Sequence, residues 1–436
     1  MKSLLRALFI TLLTSTVFCL IPNVSHAKVK IGSGWSVNIE ESKAANEAIQ
    51  MLKRTIPNPD FIYLMVESEY DKSIIIEQLR ETFKDAKLFG LEVSFAVFTQ
   101  EGIHKGEKGS LAMLGIEAPS WKIGLGIADM SQKTTMKDIK EITSQTIISA
   151  VKDAGKSISD KPSFILISPA KLKEQPILEA IEEFFGHEIK LMGGTPANST
   201  VFSNNNVIDG GFALAVFYAD SKIGVGYHSG VRIDKKLSGI VTETGPTNKH
   251  LKMIDNLPAF DVYNEWSGGL FNNIDINALT APLAIWETAG RIPIVKIHDL
   301  GEEKTVTTVT LPTEIYPDKT LLVGIDMKVG DRIYYPSASR KGYIIRAGTI
   351  ITKALIDGRV KKNTLAGGIH VYSRSAAFGQ IGRDPEELQK IVFEMKKEMN
   401  GKPFIGGFTS GEQGNIKGYG CFHGSLSSAM IVFGDE

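Results

Sequence analysis

The chain has 436 residues, of which 43% are hydrophobic, and its 49 lysines and arginines balance its 49 aspartates and glutamates. A formal net charge of zero excludes the basic excess that nucleic-acid and anionic-membrane surfaces require. We therefore expect neither a nucleic-acid partner nor an anionic-membrane partner. The length is sufficient for two domains, each with its own hydrophobic core.

The first 27 residues have the pattern of a secretory signal peptide. Lys2 and Arg6 precede an apolar run at 7–20, and the triplet Ser-His-Ala at 25–27 provides the small residues that a signal peptidase requires. A membrane anchor is the alternative, but this run has 14 residues, whereas a spanning helix needs about 20. We therefore expect a cleavable signal peptide at 1–27 and a periplasmic or secreted protein that begins at Lys28, with no membrane span.

A short phrase, K-I-G-x-G, occurs three times, starting at residues 30, 122 and 222. The first two copies are followed by the same series: helix, buried strand, helix, glycine-closed strand, polar loop and final strand. In the first copy the predicted helices span 40–54 and 73–83, and the predicted strands span 61–66, 88–90 and 111–116. In the second copy the helices span 134–154 and 176–185, and the strands span 164–167, 191–193 and 214–218. This periodicity predicts one repeat unit, used more than once.

The third copy is interrupted by a stretch of different character at about 230–365. That stretch is rich in β-branched residues, Pro and Gly, which predicts strands at 305–311, 321–325 and 343–351. The copy continues with a strand at 368–373, a helix at 385–399 and strands at 404–406 and 429–433. Since strand–helix–strand connections are normally parallel crossovers, we expect an α/β fold class. Repeated strand–helix–strand–helix–strand–strand units would form mixed sheets covered by helices, in two lobes, with domains at 28–230 and 231–436.

Two similar segments, KLMGGTPANS at 190–199 and PFIGGFTSGE at 403–412, indicate a binding site. Glycine beside Ser or Thr at a strand end can expose backbone N–H groups to an anion such as a carboxylate. The candidate ligand-binding residues are Gly193, Gly194, Thr195, Asn198, Ser199, Gly406, Gly407, Thr409, Ser410 and Glu412. Glu412 could hold an ammonium group. Arg374 could pair with an anionic ligand, although solvated surface charge is the alternative. The alternative for the glycines is that they only permit turns and close packing of the sheet.

Two further side chains could be reactive. Cys421 and His423 lie two residues apart on a predicted strand and so share a face, but no third group is present to orient them. Cys421, the one cysteine outside the signal peptide, is more simply a buried free thiol. Thr409 lies in a segment that imitates the G-x-S-x-G elbow, but that elbow needs a following helix, and a strand is predicted here. The histidines lack metal-ligand spacing and no nucleotide-binding glycine motif is present, so we expect no metal and no cofactor.

Three phrases of the sequence resemble the FIST family. They are GSGWSVNIEESKAANEAI at 32–49, TETGPTNKHLKMIDNLPAFDVYNEW at 242–266 and PFIGGFTSGEQG at 403–414. In the last phrase, Gly407, Phe408, Gly411 and Glu412 match the family pattern Gly-Phe-x-x-Gly-Glu. The resemblance implies paired FIST_N and FIST_C domains that sense small ligands, with amino acids as suggested ligands.

The leading hypothesis is therefore an exported, non-catalytic sensory protein that binds a small polar metabolite, such as an amino acid, for signal transduction. A membrane sensor is the partner that this hypothesis implies. One alternative is a protein-binding adaptor in the periplasm. A third is an enzyme that uses Cys421 or Thr409 as a nucleophile.

Overall fold

The computed structural model describes residues 28–133, 135–301 and 305–436, with side chains described except at 234–236 and 337–338. The predicted signal peptide at 1–27 lies outside these residues. The first repeat comprises β1 (Lys30–Ser36), α1 (Glu41–Lys53), β2 (Phe61–Glu67), α2 (Lys72–Thr82), β3 (Lys87–Thr99), β4 (Ile103–His104) and β5 (Leu111–Glu117). The second comprises β6 (Lys122–Asp129), α3 (Met136–Asp153), β7 (Phe164–Ser168), α4 (Glu174–Phe185), β8 (Leu191–Thr195), β9 (Thr200–Ser203), β10 (Asn206–Asp209) and β11 (Gly211–Tyr218).

The third repeat begins with β12 (Ile223–His228) and is then interrupted. The insertion comprises β13 (Val231–Thr244), β14 (His250–Ile254), β15 (Leu257–Pro258), α5 (Ala259–Trp266), β16 (Leu283–Ala284), α6 (Trp286–Ala289), β17 (Ile294–Asp299), β18 (Thr305–Thr310), β19 (Pro312–Ile315), β20 (Leu321–Val323) and β21 (Arg332–Ala338). The repeat resumes with α7 (Arg340–Gly358), β22 (Leu365–Ser373), α8 (Arg374–Ala376), α9 (Pro385–Met399), β23 (Phe404–Thr409), β24 (Gly411–Ile416), β25 (Gly420–Gly424) and β26 (Ser428–Gly434). Short 3₁₀ turns lie at Ile276–Ala278 and Lys362–Thr364, and a π turn lies at Ala377–Ile381.

The three repeats have the same strand order. It is β1-β5-β2-β3 in the first, β6-β11-β7-β8 in the second and β12-β26-β22-β23 in the third. In every repeat the last strand pairs antiparallel with the first and second strands. The second and third strands pair in parallel. The α/β class and the repeated unit predicted from the sequence are therefore confirmed.

The repeats are joined to one another through their sheets. β3 pairs antiparallel with β23, which merges the first and third repeats into one sheet. Strands β6, β11, β7 and β8 of the second repeat form a separate sheet, extended by the hairpin of β24 and β25 from the third repeat. The other two strands of the second repeat, β9 and β10, join the first sheet, where β9 pairs with β3. The insertion forms the third sheet. The sheet made by the first and third repeats thus crosses the predicted domain boundary at 230–231, and that boundary stays a prediction.

The core lies between the sheets of the repeats, and helices cover the outer faces. Phe61 of the first repeat, Phe164 and Phe217 of the second and Phe433 of the third meet in one cluster. The ring centroids of Phe164 and Phe217 are 4.1 Å apart, and those of Phe61 and Phe217 are 4.9 Å apart. Each aromatic pair of this kind contributes about 0.5–1.5 kcal/mol beyond the burial of its area. The three repeats therefore share one hydrophobic centre.

The repeated K-I-G-x-G phrase has a packing role. Its glycines lie on the first strand of each repeat, directly under the first helix. A Cβ atom on Gly34 would lie 2.0 Å from Ala48 O, and one on Gly124 or Gly224 would lie 1.8 Å from the carbonyl oxygen of Ala150 or Ala354. Only glycine allows the helix backbone to approach this closely.

Two predictions about local structure are wrong. The predicted strand at 343–351 is part of helix α7, whose buried side chains include Tyr343, Ala347, Ile350 and Ile351 at helical spacing. Packing of that face outweighs the β-preference of its isoleucines. The predicted polar loop after Gly90 is also wrong, because β3 continues to Thr99 and pairs there with β23.

Candidate functional site

The two glycine-containing segments that the sequence singled out lie side by side. β24 pairs antiparallel with β8, so that Gly411 is opposite Thr195 and Glu412 is opposite Gly194. The backbone N–H of Ser410 donates to Thr195 O at 2.9 Å. Residues of the second and third repeats therefore meet in one region. We call residues 193–199, 374 and 406–413 the repeat junction.

The four candidate glycines lie inside β8 and β23, and none has a left-handed φ. A Cβ on Gly194 would lie 2.7 Å from Thr409 Cγ2, and one on Gly406 would lie 2.1 Å from the Phe98 ring. The expectation that these glycines form turns is therefore wrong. They allow close packing within the sheets, and their role as ligand contacts stays a prediction.

Glu412 is fully buried at the repeat junction, with 0% of its surface exposed. Thr409 Oγ1 donates to its Oε1 at 2.8 Å, and the backbone N–H of Ser427 donates to its Oε2 at 3.0 Å. Burial raises the pKa of Glu412 to about 8, although the hydrogen bond from Thr409 and the charge of Arg346 oppose this rise. Both carboxyl oxygens are thus engaged by the chain itself. The role of Glu412 in holding a ligand's ammonium group stays a prediction that this geometry does not support.

A series of hydrogen bonds between buried polar side chains connects the repeat junction to the start of α4. Gln413 Nε2 donates to Thr195 Oγ1 at 2.9 Å and to His423 Nδ1 at 2.8 Å. Thr195 Oγ1 in turn donates to Glu174 Oε1 at 3.3 Å. Burial lowers the pKa of His423 to about 4, so its ring is neutral near pH 7 and can accept at Nδ1.

Arg374 and Ser410 lie at the partly exposed rim of the junction. Arg374 Nη1 donates to Ala197 O at 3.2 Å and to Ser94 Oγ at 3.3 Å. Its guanidinium lies 4.7 Å from the centre of the Trp286 ring, in a cation–π contact. Ser410 Oγ also donates to Ala197 O, at 3.2 Å. Arg374 therefore holds the first repeat, the second repeat and the insertion together.

The remaining candidates, Asn198 and Ser199, belong to the same loop. The backbone N–H of Asn198 donates to Glu92 Oε1 at 3.1 Å, while its side chain is exposed. Ser199 has a φ of 110°, and its carbonyl oxygen accepts from Gly210 N at 3.1 Å. The structure thus brings all the candidate residues into one region, where most of their polar groups are bonded to protein.

A cavity of about 520 Å³ lies beside this region, between α3, the start of α4 and the loop before β14. We call it the α3–β14 cavity. Its apolar lining consists of Met136, Ile139, Leu172, Pro176, Pro246 and Leu322. Its polar lining consists of Thr247, Asn248, Lys249, His250, Tyr316 and Asp326.

Lys249 connects the wall of the α3–β14 cavity to this series of buried hydrogen bonds. Its Nζ lies 3.2 Å from Glu174 Oε2 and donates to Gly324 O at 3.1 Å. The two side chains are 9% and 4% exposed. Burial opposes ionisation of Glu174, but the charge of Lys249 outweighs it and lowers the pKa of the carboxyl. Since Glu174 accepts from Thr195, the cavity wall and the repeat junction share one hydrogen-bonded network.

The other polar groups of the cavity are less engaged. Asp326 is half-buried, and within the described ranges its carboxylate has no hydrogen bond or ion pair. His250 Nδ1 lies 2.7 Å from Thr247 Oγ1, and the His250 and Tyr316 rings form an edge-to-face pair with centroids 5.4 Å apart. This mixture of apolar wall and few convergent polar groups is typical of a small-molecule site.

Sequence reasoning missed the residues of this cavity. Lys249 and His250 lie in the phrase TETGPTNKH. That phrase supported the resemblance to the FIST family, but it gave no indication of a binding site. Tyr316 and Asp326 follow much later, inside the insertion. Nothing in their local pattern indicates that they face α3, because the tertiary fold alone brings them there.

Cavities also lie at three other places on the protein. One of about 480 Å³ lies beside α2, where Arg80 is already bonded to Asn205 and to the carbonyl oxygen of Lys84. One of about 490 Å³ lies near Arg54, and one of about 450 Å³ near Lys353. The candidate residues of the repeat junction line none of these four cavities.

Cys421 lies in β25, where it is 7% exposed and free. The Asn415 amide lies 3.6 Å from its Sγ, while the neighbouring His423 is bonded to Gln413. Burial raises the pKa of the thiol to about 12, so the thiolate is scarce near neutral pH. Thr409 is followed by strand β24, and its hydroxyl donates to Glu412.

The described residues provide neither a metal-binding cluster nor a helix that could cross a membrane. Within 28–133, 135–301 and 305–436, no group of three or more His, Cys, Asp and Glu side chains could hold a metal ion. Over the same ranges, none of the helices combines the length and the apolar character that a membrane crossing needs.

Comparison with solved structures gives only distant likenesses. Cyanuric acid hydrolase from A. caulinodans shares 8% identity and a TM-score of 0.39, over 94% of this chain and 100% of that one. A second cyanuric acid hydrolase, described as an evolutionary innovation by structural concatenation, shares 8% identity and a TM-score of 0.33, again over 94% of this chain and 100% of that one. PurLQS from Thermotoga maritima shares 8% identity and a TM-score of 0.22, over 94% of this chain and 72% of that one. Likenesses at these TM-scores support no statement about this chain.

Comparison at the level of sequence gives one match, to part of the chain. No curated protein matches the chain. The family model described as the FIST N domain matches residues 60–256. The match includes the whole second repeat, and it ends inside the phrase that the sequence assigned to the start of the C-terminal domain. Residues 60–256 are therefore similar to a FIST N domain.

Proposed function

We propose that the protein is an exported, non-catalytic sensory protein of the FIST type, and that a small metabolite binds in the α3–β14 cavity. The observation that carries this proposal is the position of the cavity. It lies between helices of the matched region and the loop at 246–250, which belongs to the same match. Nine of its twelve lining residues fall within 60–256.

The size and lining of the cavity support small-molecule binding. Ligand sites typically enclose about 300–1,000 Å³ and combine apolar walls with a few polar groups. Met136 and Leu172 line this cavity while remaining 50% and 46% exposed. Exposed apolar side chains at the wall of a cavity favour a ligand with an apolar body. A metabolite with a polar end and an apolar body meets these conditions.

The non-catalytic part of the proposal rests on the two candidate nucleophiles. The Thr409 hydroxyl donates to a buried carboxyl that is largely protonated near pH 7, and the Cys421 thiol has its pKa raised by burial. An activated nucleophile needs an adjacent base or a lowered pKa. Neither residue has these features here.

A sensory role needs a path from the ligand to the rest of the protein. The loop at 246–250 contacts the cavity on one side and, through Lys249, holds Glu174 on the other. Glu174 accepts from Thr195 at the repeat junction. We propose that a ligand which displaces this loop alters the contacts between repeats, and that a membrane sensor or another FIST-type partner reads that change. Pairing with a FIST_C domain at 231–436 is part of the same proposal.

The binding part is tested by a thermal-shift screen of metabolites, followed by calorimetry. A true ligand raises the apparent melting temperature by mass action. Met136→Trp places an indole at the cavity wall, and we expect it to weaken the ligand at least tenfold. Ile356→Trp on α7 is the matched control, because Ile356 is 72% exposed and lies outside the cavity. A ligand that binds wild type and Met136→Trp equally would contradict the proposed site.

The export part is tested separately. N-terminal sequencing of protein made in a Gram-negative host should give a chain that starts at Lys28. Recovery of the chain with Met1 intact from the cytoplasm would contradict export and would leave the proposed cavity untouched.

A further inference from the structure

The ammonium group of Lys249, which lines the α3–β14 cavity, is not free to bind an anion. The Lys249 ammonium group lies 3.2 Å from Glu174 Oε2 and donates to Gly324 O at 3.1 Å. Its side chain is only 9% exposed. His250 uses Nδ1 in its contact with Thr247 Oγ1. The charge of Lys249 is therefore already neutralised by Glu174.

The free charge in the cavity is negative. Asp326 lines the cavity, is half-buried and has no hydrogen bond or ion pair within the described residues. Water solvates a partly buried carboxylate less well than an exposed one, so a cationic partner there gains more than at the surface. An unpartnered carboxylate in a cavity with a partly apolar wall is thus a position for a ligand's positive charge.

The aromatic wall also favours a cation. Tyr316 lines the cavity, with its ring edge-to-face against His250. The face of a tyrosine ring attracts an ammonium group within about 6 Å of its centroid. The apolar side chains of Ile139, Pro176 and Leu322 are available for the body of the same ligand.

We propose that the ligand of the α3–β14 cavity is an organic amine, whose protonated amino group pairs with Asp326 and whose apolar body lies against Ile139, Pro176 and Leu322. The proposal rests on the proposed function, because it names the ligand class of the same cavity. It also separates amines from amino acids. An α-carboxylate would meet the Asp326 carboxylate and would find Lys249 already paired, so decarboxylated amines are preferred over the corresponding amino acids.

The test is calorimetry at pH 7 with four probes of matched shape: 2-phenylethylamine, phenylalanine, 2-phenylethanol and 3-phenylpropionate. Wild type should bind 2-phenylethylamine at least tenfold more tightly than the other three. Asp326→Asn should weaken the amine by 10–100-fold and change the alcohol less than threefold. Asp326→Glu should retain the preference for the amine. Asp318→Asn is the charge-loss control, since Asp318 is exposed, lies on the same segment and does not line the cavity.

Circular dichroism and melting temperature confirm that each variant is folded. Several results would overturn the amine proposal: no binding of 2-phenylethylamine to wild type, equal binding of all four probes, or amine binding that Asp326→Asn leaves unchanged. A non-cationic metabolite that binds wild type and is blocked by Met136→Trp would overturn the amine proposal while supporting the cavity. Amine binding that Met136→Trp leaves unchanged would overturn both.

Discussion

The repeat junction and the α3–β14 cavity both contain carboxyl groups away from bulk water, but they differ in what surrounds those groups. At the junction, Glu412 has 0% exposure and accepts from Thr409 and Ser427. In the cavity, Asp326 has no partner within the described residues, and the wall of the cavity includes the exposed side chains of Met136 and Leu172. A polar group that is fully satisfied by its own chain stabilises the fold, whereas an unsatisfied one beside empty space is available to a ligand. The candidate residues chosen from sequence are mostly of the first kind.

The ion pair between Lys249 and Glu174 lies between these two regions and should give the largest effect. Lys249→Met leaves a buried carboxylate unpaired, so we expect a loss of about 3–5 kcal/mol in the free energy of unfolding. The double variant Lys249→Met with Glu174→Gln should recover most of that loss, because no buried charge remains. Urea unfolding measures both changes.

A matched control is Lys252→Met, since Lys252 and its partner Glu243 are 37% and 50% exposed. An exposed pair of this kind contributes about 0–1 kcal/mol. A single Lys249→Met variant as stable as the double variant would show that the buried pair does not connect the cavity wall to α4.

The repeated glycines should give the next largest effect. In Gly224→Ala the new Cβ would lie 1.8 Å from Ala354 O, so α7 must move away from β12. Overpacking of this kind costs about 1–3 kcal/mol, which thermal unfolding can measure. Gly342→Ala is the control, because its nearest contact is the hydroxyl of Ser339, the N-cap of α7, at 3.1 Å. Equal stability of both variants would show that the K-I-G-x-G phrase is not required for packing.

The pH dependence of stability should reveal the junction carboxyl. Burial raises the pKa of Glu412 from its ordinary value of 4.5 to about 8, so the folded protein binds a proton that the unfolded chain releases. Its contribution to stability therefore falls as the pH rises from about 4.5 to 8, by at most about 1.4 kcal/mol per pH unit. Glu412→Gln imitates the protonated form and should remove this fall while leaving binding in the cavity unchanged. An identical pH profile for wild type and variant, from urea unfolding at each pH, would contradict the raised pKa.

Cys421 should give the smallest effect. Cys421→Ser replaces a buried thiol with a hydroxyl near the Asn415 amide, so we expect a loss of about 1 kcal/mol in stability. Ligand affinity, measured by calorimetry, should not change. Loss of binding with an unchanged melting temperature would instead favour a reactive thiol.

The repeated architecture could be predicted from sequence because its signals are local. The K-I-G-x-G phrase and the helical and strand periodicities recur at matching intervals, and the structure gives each copy the same strand order. The helix at α7 was missed because its isoleucines favour strands locally, and only its packed face reveals the helix. The extension of β3 was missed because it depends on pairing with β23, about three hundred residues away in sequence.

The candidate site could be predicted only in part. The similar phrases at 190–199 and 403–412 led to β8 and to β23 with the start of β24, and the structure pairs β8 with β24. Sequence alone could not indicate that Glu412 is enclosed, since its two partners depend on the tertiary fold. The α3–β14 cavity could not be predicted either. It forms where the second repeat meets the insertion, and the residues that give it charge lie far apart along the chain.

The most direct test of the central claim is amide hydrogen exchange with and without saturating 2-phenylethylamine, or the best metabolite from the screen. Binding in the cavity should slow exchange most at 246–250 and 322–327, where the N–H groups of Val323 and Met327 donate to the loop before β14. The repeat junction should change less. Slowing that is greatest at 193–199 and 406–413, with none at 246–250, would contradict the α3–β14 cavity as the binding site and would favour the junction instead.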